Sequence, residues 1–386
     1  MRIAEYRRNN QAFSIASLQS AIPDPQSAIY SPFPFTSLPF RFTFPLMLLS
    51  DIRGQDAAIA TLRNALLRDR LAHAYLFVGP AGVGKKQTAL ALTRATLCSL
   101  NPGEGCETCT HCIMVRARTH PDLRVVAPEG GKQSVTIEQV RNLQRLLSLR
   151  PVQGRKKVAV VEEAHLLTPA AQSALLKIVE EPPGDALLIL LTLNSATLSR
   201  PLLSRCQQVR FAALPAVVVE QLLTQSHGKD TEAAQALALY SRGSIGRALV
   251  LDPQLFTEER RYVEEELQKL NGASFTDLSR FAEWLVADRV RKSAKSSDAA
   301  EEHAGGGDRL EIVLSWYEEV LRYAVLGAAG VARHQDCLTA IAQLATRLSI
   351  EGALQQLTIV YDTLQALGRN ANRQLAVEDM LLQLAK

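Results

Sequence analysis

The chain has 386 residues, of which 47% are hydrophobic and 21% are charged, as in an ordinary globular protein of two or three domains. The net charge of +4 permits contact with nucleic acid without requiring it, and an aromatic content of 5% argues against a base-stacking platform. No run of about 18 apolar residues occurs, so no membrane span is predicted. Six cysteines are too few for a disulfide scaffold in a chain of this length, and their use favours the reducing cytoplasm.

The first 46 residues differ from the rest of the chain. Residues 1–46 show no helical or strand period, and they include a Pro/Phe-rich run from Pro32 to Pro45. The apolar core of a secretory signal is missing. We therefore expect a disordered extension, or a true translation start at Met47 rather than Met1. A targeting peptide is the alternative.

A glycine-rich stretch lies between a predicted buried strand and a predicted helix. Its residues Gly79, Gly82, Gly84 and Lys85 have the spacing of a phosphate-binding P-loop. Backbone N–H groups and the helix N-terminus would hold the phosphates, and Lys85 would reach the β- and γ-phosphates. The next residue is normally Ser or Thr, whose hydroxyl ligates Mg²⁺, but here it is Lys86. We therefore expect ATP or ADP to bind, with poor Mg²⁺ binding and poor hydrolysis; a chance glycine turn is the alternative.

Four cysteines follow in the pattern C-x7-C-x2-C-x2-C. Thiolates at this spacing suit a tetrahedral Zn²⁺ ion that closes a small knuckle. The predicted ligands are Cys98, Cys106, Cys109 and Cys112. Because every ligand is a thiolate, no position stays open and the zinc would be structural. Free thiols are one alternative, and His111 as a competing ligand is another.

Two acidic residues end a predicted buried strand. The apolar run Val158–Val161 leads into Glu162 and Glu163, where a P-loop enzyme keeps its metal-organising carboxylate and its water-polarising glutamate. Glu162 stands where aspartate is usual, so its carboxylate is displaced by the extra methylene. Glu163 stands at the position of the catalytic glutamate. A solvated strand end is the alternative for this pair.

Three further residues are candidates for sensing or completing a nucleotide site. Thr192, at the end of a predicted strand over Leu187–Leu193, could sense a γ-phosphate, or it could be a plain strand-end residue. Arg205 is a candidate arginine finger supplied in trans to a neighbouring nucleotide. Arg247 could reach a γ-phosphate across a domain cleft.

The chain order of these patterns predicts an α/β P-loop domain with a parallel sheet over residues 47–212, with the zinc knuckle inserted at 98–112. Residues 213–272 and 273–386 are predicted to be helical, with one helix over Thr231–Tyr240, another starting at Glu351, and Trp316 in the core. The predicted strands include Leu123–Val126 and Val209–Phe211. A polar, Gly-rich interruption at 292–307 is predicted to be a mobile loop.

The motifs together resemble those of bacterial DNA polymerase III clamp-loader subunits, which are AAA+ proteins. The matching motifs are Gly54-Gln55, His73–Phe77, the P-loop, the four-cysteine knuckle, His120-Pro121-Asp122, the Glu162-Glu163-Ala164 strand end, Ala174–Lys177 with Glu180–Pro183, and Ser204-Arg205-Cys206. The likeness covers residues 48–252 well and the C-terminal helices weakly. It implies a RecA-like AAA+ domain, a small helical lid at 213–272 and an oligomerising collar at 273–386.

Within this family the gamma/tau motor keeps the P-loop threonine and an Asp-Glu pair, whereas delta-prime often has degraded nucleotide motifs and keeps the arginine finger. Lys86 and Glu162 depart in the delta-prime direction, as does the lack of a long tau-like extension. The resemblance therefore implies a stator that offers Arg205 to the ATP site of a neighbouring subunit. Its partners would be gamma/tau, delta and, indirectly, the sliding clamp.

Primer-template DNA would be contacted only through its backbone, from residues such as Arg141 or Arg145. Two alternatives stay open. One is an active gamma/tau-type motor, and the other is an interaction module of another AAA+ complex.

Overall fold

The computed structural model describes residues 48–129, 134–287, 307–331, 333–368 and 371–385. The predicted extension at 1–46 lies outside these residues. So does the predicted loop at 292–307, except for Gly307, which begins a helix. Among the described residues, no helix has the length and apolar character needed to cross a membrane.

Strands and helices alternate in the first part of the chain, and helices alone make up the second. The strands are β1 (Ala74–Val78), β2 (Leu123–Val126), β3 (Lys157–Val161), β4 (Ala186–Thr192) and β5 (Gln207–Arg210). The helices are α1 (Asp56–Leu67), α2 (Lys85–Leu97), α3 (Thr110–Arg116), α4 (Ile137–Leu147), α5 (Pro169–Glu180), α6 (Arg200–Arg205), α7 (Ala216–His227), α8 (Thr231–Tyr240), α9 (Ile245–Val250), α10 (Pro253–Lys269), α11 (Phe275–Val286), α12 (Gly307–Leu326), α13 (Leu338–Gly368) and α14 (Arg373–Leu384).

The five strands form one parallel sheet in the order β2-β3-β4-β1-β5. Strands β1, β3 and β4 are buried over nearly their whole length, as expected for a parallel sheet with helices on both faces. Separate apolar clusters cover the two faces, one around Leu92 and Ile189 and the other around Leu143 and Leu190. The predicted α/β fold, with a parallel sheet and a glycine-rich loop between β1 and α2, is confirmed.

The carboxyl ends of the parallel strands lie at one edge of the sheet. Val78, the last residue of β1, pairs with Thr192 at the end of β4, and Val161 at the end of β3 pairs with Leu190. The P-loop and Glu162 follow two of these strand ends directly. The candidate nucleotide residues from three separate stretches of sequence are therefore brought together, which is where open α/β sheets bind ligands.

The C-terminal helices share one continuous apolar core. Residues of α7 to α14 contribute to it, and Trp316, predicted to be a core residue, is 1% exposed within it. Helix α13 is interrupted at Ser349, where φ is 60° and ψ is 172°, which matches the predicted start of a separate helix at Glu351. Because both halves of this region contribute to the same core, the lid–collar boundary at residues 272–273 stays a prediction.

Candidate functional site

The P-loop has the backbone geometry that its sequence predicts. Helix α2 begins at Lys85, directly after Gly84, whose φ is +105°. Gly82 also has a positive φ of +67°, a conformation that glycine adopts without strain. A Cβ atom at Gly79 would lie 2.3 Å from the carbonyl oxygen of Phe211. Glycine at position 79 is therefore required by the close approach of the residue that follows β5.

The P-loop lysine is folded back over its own loop. The Lys85 Nζ atom donates hydrogen bonds to the carbonyl oxygens of Gly79, at 2.6 Å, and Pro80, at 2.5 Å. The residue is 9% exposed. A bound phosphate would have to compete with these two carbonyls for the ammonium group.

The next side chain forms an ion pair across the site. Lys86 Nζ lies 2.8 Å from Glu162 Oε2, and Arg118 Nη1 lies 3.8 Å from Glu162 Oε1. Magnesium needs several oxygen ligands at about 2.0–2.1 Å, and a lysine ammonium offers no acceptor atom. The residues at this position therefore do not fit Mg²⁺.

The other two strand-end candidates also have local partners. Glu163 has left-handed backbone angles, φ 53° and ψ 47°, and its Oε2 atom lies 3.2 Å from Nε2 of His165. The Thr192 carbonyl oxygen accepts the Gly79 N–H at 3.2 Å, which joins β4 to the P-loop. Its hydroxyl, however, donates to the Asn194 carbonyl oxygen at 2.8 Å. The nucleotide roles of Glu163 and Thr192 stay predictions.

Helix α9 lies against the P-loop, but its arginine pairs elsewhere. The Gly246 N–H donates to the Gly82 carbonyl oxygen at 3.0 Å, and a Cβ atom at Gly246 would lie 2.9 Å from the Gly82 Cα atom. The Arg247 guanidinium is ion-paired with Glu311 of α12. The sequence pattern did not indicate Glu311. The proposed contact of Arg247 with a γ-phosphate stays a prediction.

Arg205 ends helix α6 at the protein surface. Its Nη2 atom lies 2.9 Å from Glu180 Oε1 at the end of α5, and the two side chains are 43% and 40% exposed. Its Nη1 atom donates to the Pro201 carbonyl oxygen at 3.2 Å. The predicted finger is therefore an accessible cation held by two contacts within its own chain. Only the structure indicates Glu180 as its partner.

The four predicted zinc ligands come together. Their sulfur atoms all lie within 4.8 Å of one another, with 3.8 Å between Cys98 and Cys109 and 4.0 Å between Cys106 and Cys112. A tetrahedral tetrathiolate with zinc–sulfur bonds of about 2.3 Å has sulfur–sulfur separations of about 3.8 Å. The cluster therefore fits a four-coordinate zinc ion.

Backbone N–H groups point at three of these sulfur atoms. The donors are Asn101 to Cys98 at 3.2 Å, Cys109 to Cys106 at 3.3 Å and Cys112 to Cys109 at 3.4 Å. The N–H donated by Cys109 is the main cause that lowers the pKa of Cys106 to about 6. Burial raises the pKa of Cys112 to about 12. A bound metal ion would compensate the buried thiolate charge.

The knuckle is joined to the P-loop helix. Cys98 is the C-cap residue of α2. One turn earlier, the Arg94 side chain, which is 6% exposed, lies 3.3 Å from Glu107 of the knuckle. The Gly103 N–H donates to the Ala95 carbonyl oxygen at 2.8 Å. The helix that begins at the phosphate loop therefore ends in the cysteine cluster.

His111, the alternative ligand, is hydrogen-bonded to His120 rather than directed at the cysteine sulfur atoms. Its Nδ1 atom lies 2.9 Å from His120 Nε2. His120 Nδ1 accepts the Asp122 N–H at 3.0 Å, so His120 Nε2 carries the proton and donates to His111. This arrangement favours Cys98 over His111 as the fourth ligand.

Asp122 fixes the loop that precedes β3. Its carboxylate accepts the N–H groups of Val152 at 2.7 Å, Gln153 at 2.9 Å and Gly154 at 2.7 Å. Burial opposes ionisation, but these three donors outweigh it and lower the pKa of Asp122. The His-Pro-Asp motif thus has a structural role that its sequence alone did not specify.

Two family models match the chain. One, described as DNA polymerase III, delta subunit, matches residues 54–215. The other, described as DNA polymerase III, delta subunit, C terminal, matches residues 287–386. The two matches include the P-loop, the cysteines and Arg205 in the first case and the last helices in the second.

Curated relatives carry related names. The chain is 28% identical over 334 residues to DNA polymerase III subunit delta' of Bacillus subtilis, covering 86% of this chain and 96% of the relative. It is 35% identical over 206 residues to subunit delta' of Pseudomonas aeruginosa, covering 53% of this chain and 62% of the relative. It is 32% identical over 211 residues to subunit tau of Escherichia coli, covering 53% of this chain but 32% of that protein. The chain thus spans nearly all of the first relative and less than two thirds of the other two.

Among solved structures, a DNA polymerase III gamma-subunit-related protein of Thermotoga maritima has a TM-score of 0.43 and 16% identity, covering 84% of this chain and 98% of that chain. The RuvB Holliday junction branch migration motor of the same organism has a TM-score of 0.38 and 19% identity, covering 80% of this chain and 89% of that chain. Superpositions at these scores are loose, and no functional detail follows from them.

Proposed function

We propose that the chain acts as a delta-prime-like clamp-loader subunit, because family models of the DNA polymerase III delta subunit match residues 54–215 and 287–386. In this role it donates an arginine and does not itself drive the reaction. The observation that carries the proposal is the position of Arg205. The Arg205 side chain lies at the surface, 43% exposed at the end of α6. It is ion-paired with Glu180 and donates a hydrogen bond to the Pro201 carbonyl oxygen, and both of these residues lie outside the P-loop.

The chemistry of arginine suits this role. The guanidinium is planar and permanently charged, and it can bind two phosphate oxygens at once. Supplied by a docked neighbour, it stabilises the charge that develops on a γ-phosphate during hydrolysis, and such fingers contribute about 10³–10⁵ in rate. Hydrolysis in the neighbour would then depend on correct assembly.

The chain's own site supports a non-motor role. Lys86 and Glu162 are paired where a motor subunit keeps its metal, and the Glu163 carboxylate lies against His165. These contacts occupy the groups that would organise Mg²⁺ and polarise the attacking water. We propose that any nucleotide bound here is not turned over.

The remaining assignments follow from this role. The subunit would work in the cytoplasm with gamma/tau and delta partners, and the assembly would load a sliding clamp onto primed DNA. The C-terminal helices, residues 273–386, would form the collar contact. Arg141 and Arg145 are exposed on α4 and would meet DNA only through phosphates. Zinc would keep the knuckle folded.

A gamma/tau-type motor remains the second candidate, because Gly79, Gly84 and Lys85 of the P-loop are all present with their expected backbone geometry. Steady ATP turnover by the purified chain, lost in Lys85→Ala, would favour this candidate.

The proposal is tested in a clamp loader reconstituted with this chain. We expect Arg205→Ala to lower DNA- and clamp-stimulated ATP turnover by roughly tenfold or more, because the neighbour's γ-phosphate loses its cation. Arg200→Ala is the matched control, since Arg200 is exposed at the other end of α6, and it should turn over ATP at the wild-type rate. Wild-type turnover with Arg205→Ala, in a complex of normal composition, would refute the proposal.

A further inference from the structure

Lys86 and Glu162 join the first turn of α2 to the end of β3, with Nζ donating to Oε2 at 2.8 Å. In P-loop enzymes the residues at these two positions hold Mg²⁺. We propose that the Lys86 ammonium, held by Glu162, replaces the divalent cation, so that the site binds a nucleoside di- or triphosphate without any metal. This inference deepens the proposed non-motor function and rests on it for the class of ligand.

The donor atoms around the pair exclude a divalent ion. Lysine has no lone pair to give. Of the Glu162 carboxylate, Oε2 is bonded to Lys86 and Oε1 faces Arg118 at 3.8 Å. A metal entering here would meet two cations and would have to displace one of them. The Glu162 side chain is 14% exposed, so water screens this repulsion only in part.

The charge of the site nevertheless suits a polyphosphate. Lys86 and Arg118 lie against the Glu162 carboxylate, and Lys85 is bonded to the carbonyl oxygens of the phosphate loop. These three cations exceed the one carboxylate by two positive charges. A conventional site with a lysine, a Mg²⁺ ion and one aspartate has the same excess. The site therefore attracts phosphate as strongly, in net charge, as a conventional site that contains Mg²⁺.

The Lys86 ammonium is accessible to a ligand. The side chain is 41% exposed, and an ammonium has three N–H groups, of which Glu162 uses one. It lies in the first turn of α2, and the N-terminus of a helix also attracts phosphate. A bound phosphate could thus accept from Lys86 while Glu162 holds the lysine in place.

The test measures binding of N-methylanthraniloyl-ADP to the full-length chain by fluorescence anisotropy. Titrations are made in buffer freed of divalent ions on a resin, without chelator so that the zinc knuckle is undisturbed, and again with excess MgCl₂. We expect the wild-type dissociation constant to change by less than about twofold between the two buffers. The double variant K86T/E162D restores the usual residue types and should bind about tenfold or more tightly with Mg²⁺.

Lys156→Thr is the matched control, because Lys156 precedes β3 at the opposite end of the strand from Glu162, and it should behave as wild type. If the double variant fails to fold, Lys86→Met should lose metal-free affinity while keeping a normal melting temperature.

Three results would overturn the inference: no wild-type binding in the metal-free buffer, tightening of wild-type binding by Mg²⁺ of about tenfold or more, or metal-independent binding by the folded double variant. Phosphate release measured in the same samples with ATP tests the proposed non-motor function, which turnover would contradict. The effect of Mg²⁺ on the dissociation constant tests the metal-free site, so the two failures are distinguishable.

Discussion

At the scale of single residues, the solvent exposure of an ion pair determines how much free energy is needed to separate its two side chains. The Arg205–Glu180 pair is exposed by about two fifths on each side, and exposed pairs of this kind contribute about 0.2–1 kcal/mol. Breaking it to meet a phosphate therefore costs little. Glu180 can keep the guanidinium oriented at the surface without withholding it from a neighbouring subunit.

Asp122 is the residue for which we predict a pH-dependent contribution to stability. Its pKa is lowered in the folded chain, against about 3.9 when unfolded. Its contribution is therefore fully present above the unfolded pKa and is lost as pH falls through the folded pKa. Asp122→Asn should lower the free energy of unfolding at neutral pH by about 1–3 kcal/mol, because buried N–H donors lose acceptors.

Urea unfolding of wild type and variant at several pH values measures this difference. The difference in free energy of unfolding between wild type and Asp122→Asn should become smaller below about pH 4, because the wild-type carboxylate takes up a proton. Asp185→Asn is the control, since Asp185 is exposed. A gap that stays constant down to the lowest pH would show that the Asp122 charge does not stabilise the fold.

The residues of the candidate site were predictable from the sequence to the extent that spacing defines them. Glycine and cysteine spacing indicated the P-loop and the metal ligands. The partners Glu180, Arg118 and Glu311 were not predictable, because each contact joins elements far apart in the chain. Lys86 stands in place of Ser or Thr, and Glu162 stands in place of Asp. The structure shows that these two unusual residues form an ion pair, which the sequence did not indicate because the pair depends on the alignment of the parallel strands.

At the scale of elements, the four-cysteine knuckle is a small unit attached to α2. Removing the metal should raise hydrogen exchange at the amides of residues 98–116 while leaving those of the central strands unchanged. The reason is that the N–H···S bonds and the Cys109 cap of α3 depend on sulfur positions that a bound metal would fix. The apolar clusters on the two faces of the sheet do not.

Zinc content and exchange mass spectrometry check this expectation. Wild type should carry one zinc ion per chain, Cys109→Ser should lose it and Cys206→Ala should keep it, since Cys206 is a buried core residue away from the cluster. Four freely reactive thiols in untreated native protein, or global loss of protection on metal removal, would contradict the structural role.

The bounds of helices and strands were predicted best where the hydrophobic pattern is regular and, for helices, where an N-cap residue marks the start. Strand β2 and helix α8 have the predicted bounds, Leu123–Val126 and Thr231–Tyr240, and α8 begins after an Asp230 cap. Strand β5 was misplaced, with Val209–Phe211 predicted and Gln207–Arg210 observed. The reason is that β5 is an edge strand with one buried residue, so its hydrophobic pattern is weak.

At the scale of the whole molecule, the sequence predicted which region is α/β and which is helical, but it did not predict how the helices pack against one another. Amphipathic helices show which face is apolar but not which neighbour covers it. The continuous core of α7 to α14 and the Gly246–Gly82 contact between α9 and the P-loop therefore required the structure. These contacts tie the phosphate loop to the helices proposed to assemble with other subunits.

The central claim is that this chain supplies the Arg205 guanidinium to the ATP site of a neighbouring subunit and does not hydrolyse ATP at its own site. The most direct measurement is the stimulated ATP turnover of two reconstituted clamp loaders, one carrying Lys85→Ala and the other Arg205→Ala in this chain. We predict that the Lys85→Ala complex stays within about twofold of wild type and that the Arg205→Ala complex falls by roughly tenfold or more. The reverse pattern, with turnover lost in Lys85→Ala and kept in Arg205→Ala, would contradict the claim.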